Sequence, residues 1–161
     1  MTTRNFSLLK VTEYVAGFLF TLDLNHVVLI RKTHPTWQAG KLNGVGGHIE
    51  NGESSLDAMR REFAEETGIV VRDWNYFCLL QDQEPFNWAV HWYWAFVDEK
   101  CTVQSSSDEV VDWFSVKDII EKPNQLKPIP NIRWLLMIAK DCMRQFVPEN
   151  AFYVITESSI P

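Results

Sequence analysis

The chain has 161 residues, a formal net charge of −6, 46% hydrophobic and 22% charged residues. That length predicts one domain over 1–161, with enough chain to bury a core without disulfide or metal staples. The acidic balance excludes the basic footprint that long nucleic acid requires, yet a small anionic ligand remains open through a bridging divalent cation.

Cys78, Cys101 and Cys142 are odd in number and widely spaced, which reads as reduced thiols and not as a disulfide framework or zinc site. The opening stretch MTTRNFSLLK lacks the apolar core of a signal peptide, and no apolar run is long enough to span a bilayer. The expectation is a cytoplasmic protein with no membrane partner.

In chain order, Tyr14–Leu22 and Val27–Lys32 are β-prone runs around the turn chemistry of Asp23–Asn25, so they predict a hairpin. Thr33–Gly44 reads as loop, and a short strand is expected over Val45–Ile49. Ser54–Thr67 predicts a helix. Ser54 and Asp57 have capping-box spacing, Gly68 suits a left-handed C-terminal residue, and Leu56, Met59 and Phe63 form the buried stripe. Trp74–Leu80 and Trp88–Val97 predict neighbouring strands, Thr102–Glu109 a polar loop, Val110–Phe114 a strand and Ser115–Glu121 a short helix. Lys122–Pro130 reads as a connection. Asn131–Phe146 predicts a second long helix with Ile132, Leu135, Leu136 and either Ile138 or Ala139 inward. The tail, Ala151–Pro161, either adds an edge strand or stays mobile. This order is a mixed-sheet α/β pattern and not a regular βαβ alternation.

Chemistry concentrates between Gly47 and Ile69. On a helix, Glu62, Glu65 and Glu66 share one face, at i, i+3 and i+4. Carboxylates so placed repel one another, and a hard divalent cation reverses the sign because it wants several oxygen ligands at short range. Many glutamate-rich helix faces are plain solvated surface. Here Gly44, Gly46, Gly47 and Gly52 crowd the approach to the helix, where backbone can come close to a ligand.

Gly47, Glu53, Arg61, Glu62, Phe63, Glu65, Glu66, Gly68 and Ile69 stand at the spacing G-x5-E-x7-R-E-U-x-E-E-x-G-U, where U is a bulky aliphatic residue. In this the chain resembles the Nudix hydrolase family, with Phe63 replacing the usual aliphatic residue. The resemblance implies an α/β/α sandwich with a mixed β-sheet. It also implies an enzyme acting on acid anhydrides in phosphorus-containing compounds, with Mg2+ or Mn2+ held by Glu62, Glu65, Glu66 and the Gly46 carbonyl. Glu53 is expected to pair with Arg61 and orient the acidic helix. Glu62 is one general-base candidate. Glu109 is another, because some family members use an acid from the loop before the later strand; its alternative is an exposed loop acid.

The segment WQAGKLNGVGGHIE also resembles the branch that sanitises oxidised purine nucleoside triphosphates. On that resemblance Asn43, Trp37 and Asn131 would contact the base, next to Gly47; the branch has an acid where this chain has Asn131. Asn43 has the competing use of holding a turn, and Asn131 of capping its helix. Trp92 and Trp94 share a strand face, as stacking or as core. His91 reads as structural, and Arg31 and Lys32 as phosphate contacts or a solvated strand end. The expected activity is a Mg2+-dependent pyrophosphohydrolase on a (d)NTP or oxidised purine (d)NTP. ADP-ribose or a dinucleotide is the alternative substrate, and an inactive nucleotide-sensing module the alternative of another class. The expected partner is a small nucleotide, and a homodimer is compatible with the sequence.

Overall fold

A computed structural model describes residues 11–82, 87–105 and 108–144, and the backbone of 153–156. A mixed sheet has the strand order β3-β2-β1-β5-β4-β7, with β6 also pairing β2. The strands are β1 (Thr12–Thr21), β2 (His26–Arg31), β3 (Leu42–Asn43), β4 (Asn75–Asp82), β5 (Trp88–Val97), β6 (Val110–Ser115) and β7 (Tyr153–Thr156). The helices are α1 (Ser55–Thr67), α2 (Val116–Glu121), α3 (Pro123–Leu126) and α4 (Pro130–Arg144). Layers of helix cover both sheet faces, an α/β/α sandwich. Among the described residues no helix is long and apolar enough to cross a membrane.

β1 lies inside the sheet, which explains its unbroken apolar run from Val15 to Phe20. It pairs antiparallel with β2 and parallel with β5, from Thr12 opposite Trp88 to Thr21 opposite Val97. The β1–β2 turn is pinned by Asp23, whose carboxylate accepts from Thr21 Oγ1 at 2.6 Å and Asn25 N at 3.0 Å.

α1 covers one face. Ser54 caps it by accepting from Asp57 N, and Gly68 ends it in the left-handed region at φ 72°. Met59 and Phe63 are fully buried against Val15, Leu19, Val45 and Trp74, each contributing about 1.5–3 kcal/mol of burial. Gly17 lets the helix come this close: a β-carbon there would meet Met59 Cε and Trp74 Cζ3 at 2.8 Å. α4 covers the opposite face with Ile132, Leu135, Leu136, Ala139 and Cys142, against Phe18, Phe20, Phe77 and Trp92. Of the two inward candidates, Ala139 is buried and Ile138 only packs against the rim of that core.

Three elements differ from the sequence reading. The strand expected over Val45–Ile49 is absent; the regular strand is β3, and Val45 and His48 make only isolated bridges to Gly17 and Tyr14. Lys122–Pro130 holds the short helix α3, because Pro123 at its first positions suits a helix start. α4 begins at Pro130, so Asn131 lies inside the first turn and does not cap it. In the tail, β7 adds a parallel edge strand to β4. The rest of that tail, with the final residues of the predicted Asn131–Phe146 helix, lies outside the described residues.

Candidate active site

The glycine segment runs beside β1 as an irregular strip. Gly17 N donates to Val45 O at 2.8 Å and Val15 N to Gly47 O at 2.9 Å. Carbonyls alternate along extended chain, so the Gly46 carbonyl between these two points away from β1. Gly44, Gly46 and Gly47 leave no room for a side chain. A β-carbon on Gly46 would collide with the Val15 carbonyl, and one on Gly44 with the Trp92 ring. One on Gly47 would collide with the carboxylate of Glu62. Glu62 therefore packs its charged end directly over a bare stretch of backbone.

Arg61 organises the acids around this point. Its Nε and Nη2 donate to the two Glu53 carboxylate oxygens, both at 2.9 Å. Nη2 also donates to His48 O at 3.0 Å, which ties α1 to the glycine strip. Nη1 donates to Glu62 Oε1 at 2.8 Å and to Glu65 Oε2 at 3.2 Å. The Arg61 hydrogen bond, with an Glu50 amide contact in support, outweighs burial and holds the Glu53 carboxyl below its usual value. Glu53 and Glu62 in turn push the Arg61 guanidinium up, locking its charge. Paired and forked in this way, the contact fixes direction as well as charge.

The acid face is graded in exposure. The Glu62 side chain is 15% exposed and that of Glu65 is 60% exposed. Glu66 is half-buried, with Oε2 withdrawn from solvent. Among the described residues no three acidic, histidine or cysteine side chains converge as a ready-made metal cage. The donor chemistry nevertheless fits a hard divalent cation. Carboxylate oxygens stand along one helix face, Glu62 reaches over Gly47, a residue without a side chain, and the neighbouring Gly46 carbonyl is turned away from β1. Arg61, a cation, already bridges two of these carboxylates.

A cavity of about 1250 Å3 opens beside the strip, lined by Gly44, Gly46 and Gly47 at one side. Trp88, Val90 and Trp92, alternate residues of β5, form its apolar wall, with Leu80 and Ile129. Trp94, one step further along the same face, packs against the same core but is not among the cavity's lining residues. Two of the lining residues carry a buried polar atom without a hydrogen-bond partner: Trp92 Nε1 and Asn131 Oδ1. An unpaired buried polar group costs about 1–3 kcal/mol, so two of them lining one cavity point to a ligand that supplies the missing partners.

The remaining sequence candidates fall into two sets. Trp37 lines the cavity from an exposed position, and Asn43 lines it too. The Asn43 side chain is engaged locally, accepting from Gly44 N at 2.8 Å and donating to Gln38 Oε1 at 3.2 Å. Glu109 is not an exposed loop acid: it is 3% exposed and held by Lys32 and the Thr33 amide. Burial raises its carboxyl, but the Lys32 and Thr33 hydrogen bonds together outweigh that and leave it lowered. Arg31 donates to the Gly40 carbonyl at 2.8 Å, and His91 meets Glu13 at 3.2 Å. The sequence reading passed over Tyr14, His48 and Asp82, which line the cavity.

A family model described as the NUDIX domain matches residues 12–135. The chain belongs to the Nudix family. One relative of this Nudix chain is the 8-oxo-dGTP diphosphatase of Escherichia coli (strain K12), 33% identical over 70 residues, 44% of this chain and 54% of that protein. Another is the NAD-capped RNA hydrolase NudC of Vibrio parahaemolyticus, 30% identical over 99 residues, 59% of this chain and 36% of that protein. The matched region thus spans about half or less of those relatives' length. In fold, the Nudix domain of Shewanella oneidensis NrtR, complexed with ADP ribose, matches with a TM-score of 0.69 at 21% identity. That match covers 83% of this chain and 89% of the other. In Nudix terms, the arginine-centred network and the acid stripe lie within one box, Gly47 to Ile69, and the glycine strip runs into its first residue.

Proposed function

We propose that this Nudix protein is a Mg2+- or Mn2+-dependent pyrophosphohydrolase that cleaves a phosphoanhydride bond in a nucleoside diphosphate-linked compound, most simply a (d)NTP or oxidised purine (d)NTP. One observation carries the reading: the Glu62 carboxylate of the α1 acid stripe lies over Gly47, and Gly47 lines a cavity walled by Trp88 and Trp92. Phosphates and base would thus find opposite chemistries a short distance apart.

Glu62, Glu65, Glu66 and the Gly46 carbonyl would hold the cations. When bound, these supply charge neutralisation and Lewis acidity at the diphosphate. Everything else falls to the chain. Arg61, anchored on Glu53 and His48 O, holds the acidic helix in register with the glycine strip. Glu62 takes the proton of the attacking water, which adds to phosphorus as the anhydride bond breaks. Gly47 leaves its carboxylate room to stand there. Trp37 and Asn43 border the base, and Asn131 with Trp92 offers it an amide and an N–H. All the box glutamates are present, which counts against an inactive sensing module.

The alternative substrate, ADP-ribose or a dinucleotide, is supported by cavity size. At about 1250 Å3 the space exceeds the roughly 300–1,000 Å3 of an ordinary small-molecule pocket. A panel of (d)NTPs, oxidised purine nucleotides, ADP-ribose and dinucleotides, assayed for released phosphate or pyrophosphate with Mg2+, tests the reading. Turnover of triphosphates supports the first substrate class; turnover of dinucleotides alone rejects it. No turnover of any member rejects the enzyme reading.

A further inference from the structure

We infer that Glu109 is a positioning residue, which aims the Lys32 ammonium into the cavity and fixes the loop that forms the cavity's outer wall. This rests on the pyrophosphohydrolase reading above and names a device within that same site.

Pairing of β2 with β6 places Arg31 opposite Val110. The residues just beyond that pair, Lys32 and Glu109, therefore leave the sheet side by side. Glu109 is 3% exposed, and both of its carboxylate oxygens are used. Oε2 accepts from Lys32 Nζ; Oε1 accepts from Thr33 N at 2.7 Å and from His34 N at 3.5 Å. A carboxylate accepting from an ammonium and from backbone amides is a poor proton acceptor. It is also turned away from the role of a free base by its contacts.

The contacts have a direction. Lys32 is the one lysine or arginine among the described residues that line the cavity. An ammonium has three donors, and Glu109 Oε2 takes one, so the others remain available to an anionic oxygen entering the cavity. Amides Thr33 and His34 begin the segment that brings Pro35, Trp37 and Gln38 to the cavity wall. Gln38 in turn bonds Asn43. A single buried carboxylate from β6 thus holds both a substrate-facing cation and the first residues of a substrate-facing wall. A lysine side chain without it would sample many rotamers, and a flexible cation pays ordering entropy when the ligand arrives.

The test compares Glu109→Gln, Glu109→Asp, Lys32→Met and Glu109→Gln/Lys32→Met on whichever nucleotide the wild type turns over, across pH, with Tm measured for each. The positioning role predicts about a tenfold rise in KM for Glu109→Gln, kcat within about threefold, and an acid limb of the kcat profile unchanged. Lys32→Met should match it, the double variant should be no worse than Lys32→Met, and Glu109→Asp should recover part of the loss. A fall in kcat of about a hundredfold or more with loss of the acid limb would make Glu109 the general base and overturn the inference. A lowered Tm with KM and kcat both unchanged would make it a structural brace and overturn it as well. Binding of Mg2+ with an imido-bridged nucleoside triphosphate, followed by calorimetry, separates the two readings. Weaker binding in Glu109→Gln supports positioning even if the wild type hydrolyses nothing, and equal binding in both proteins rejects it.

Discussion

The carboxylate of Glu62 lies directly over Gly47, in the space a side chain there would fill. The neighbouring Gly46 is bare for a different reason, because its missing side chain makes room for the Val15 carbonyl of β1. Two adjacent glycines thus serve the site and the fold respectively.

The two should separate by mutation. In Gly47→Ala the obstacle is the flexible end of Glu62, which can swing aside. The expected result is a Tm within a few degrees of wild type and Mg2+-dependent turnover lowered about tenfold or more. In Gly46→Ala the obstacle is backbone, so a loss of about 1–3 kcal/mol of stability is expected, read from urea unfolding. Equal effects of both variants on both measurements would reject this division.

A pH dependence follows from Glu53. The Arg61 hydrogen bond holds its carboxyl below the ordinary 4.5. A lowered folded-state value means that the pair's stabilisation is fully present above about pH 4.5 and is lost as pH falls through the folded value. Stability of wild type should therefore drop on acidification below that point more steeply than that of Glu53→Gln, as followed by urea midpoints between pH 3 and 6, roughly spanning the ordinary carboxylate range. Parallel curves would show that the pair does not set this limb.

In the cavity lining, Asn131→Ala removes one of the two buried atoms there that lack a partner. If a base supplies that partner, KM should rise by about 5–30-fold, the worth of one hydrogen bond of about 1–2 kcal/mol, while kcat changes little. Steady-state kinetics on the preferred nucleotide measure this. An unchanged KM would remove Asn131 from base recognition.

How much of this was legible in the sequence depends on how local each signal is. α1 was readable end to end because Ser54, Gly68 and the Met59/Phe63 spacing all lie within the element. The segment Val45–Ile49 misled because the β-prone Val45 and Ile49 bracket Gly46 and Gly47. Gly46 presses against β1 so closely that only isolated bridges form. The setting of Glu109 was hidden because its partners Lys32 and Thr33 lie 77 and 76 residues earlier, brought near only by β2–β6 pairing. Asn131 looked like a cap because Pro130 precedes it, but proline itself takes the first helical position. The Nudix box, by contrast, is a short contiguous pattern, and its acids and arginine meet because one helix and one loop carry them all.

The central claim is that the acid face of α1 works by holding divalent cations. Glu65→Gln and Glu66→Gln test it most directly, measured as nucleotide hydrolysis against Mg2+ concentration, with circular dichroism to show that the fold is kept. Each variant should lose turnover by about a hundredfold or more, with unaltered spectra. Full Mg2+-dependent turnover in both folded variants would contradict it.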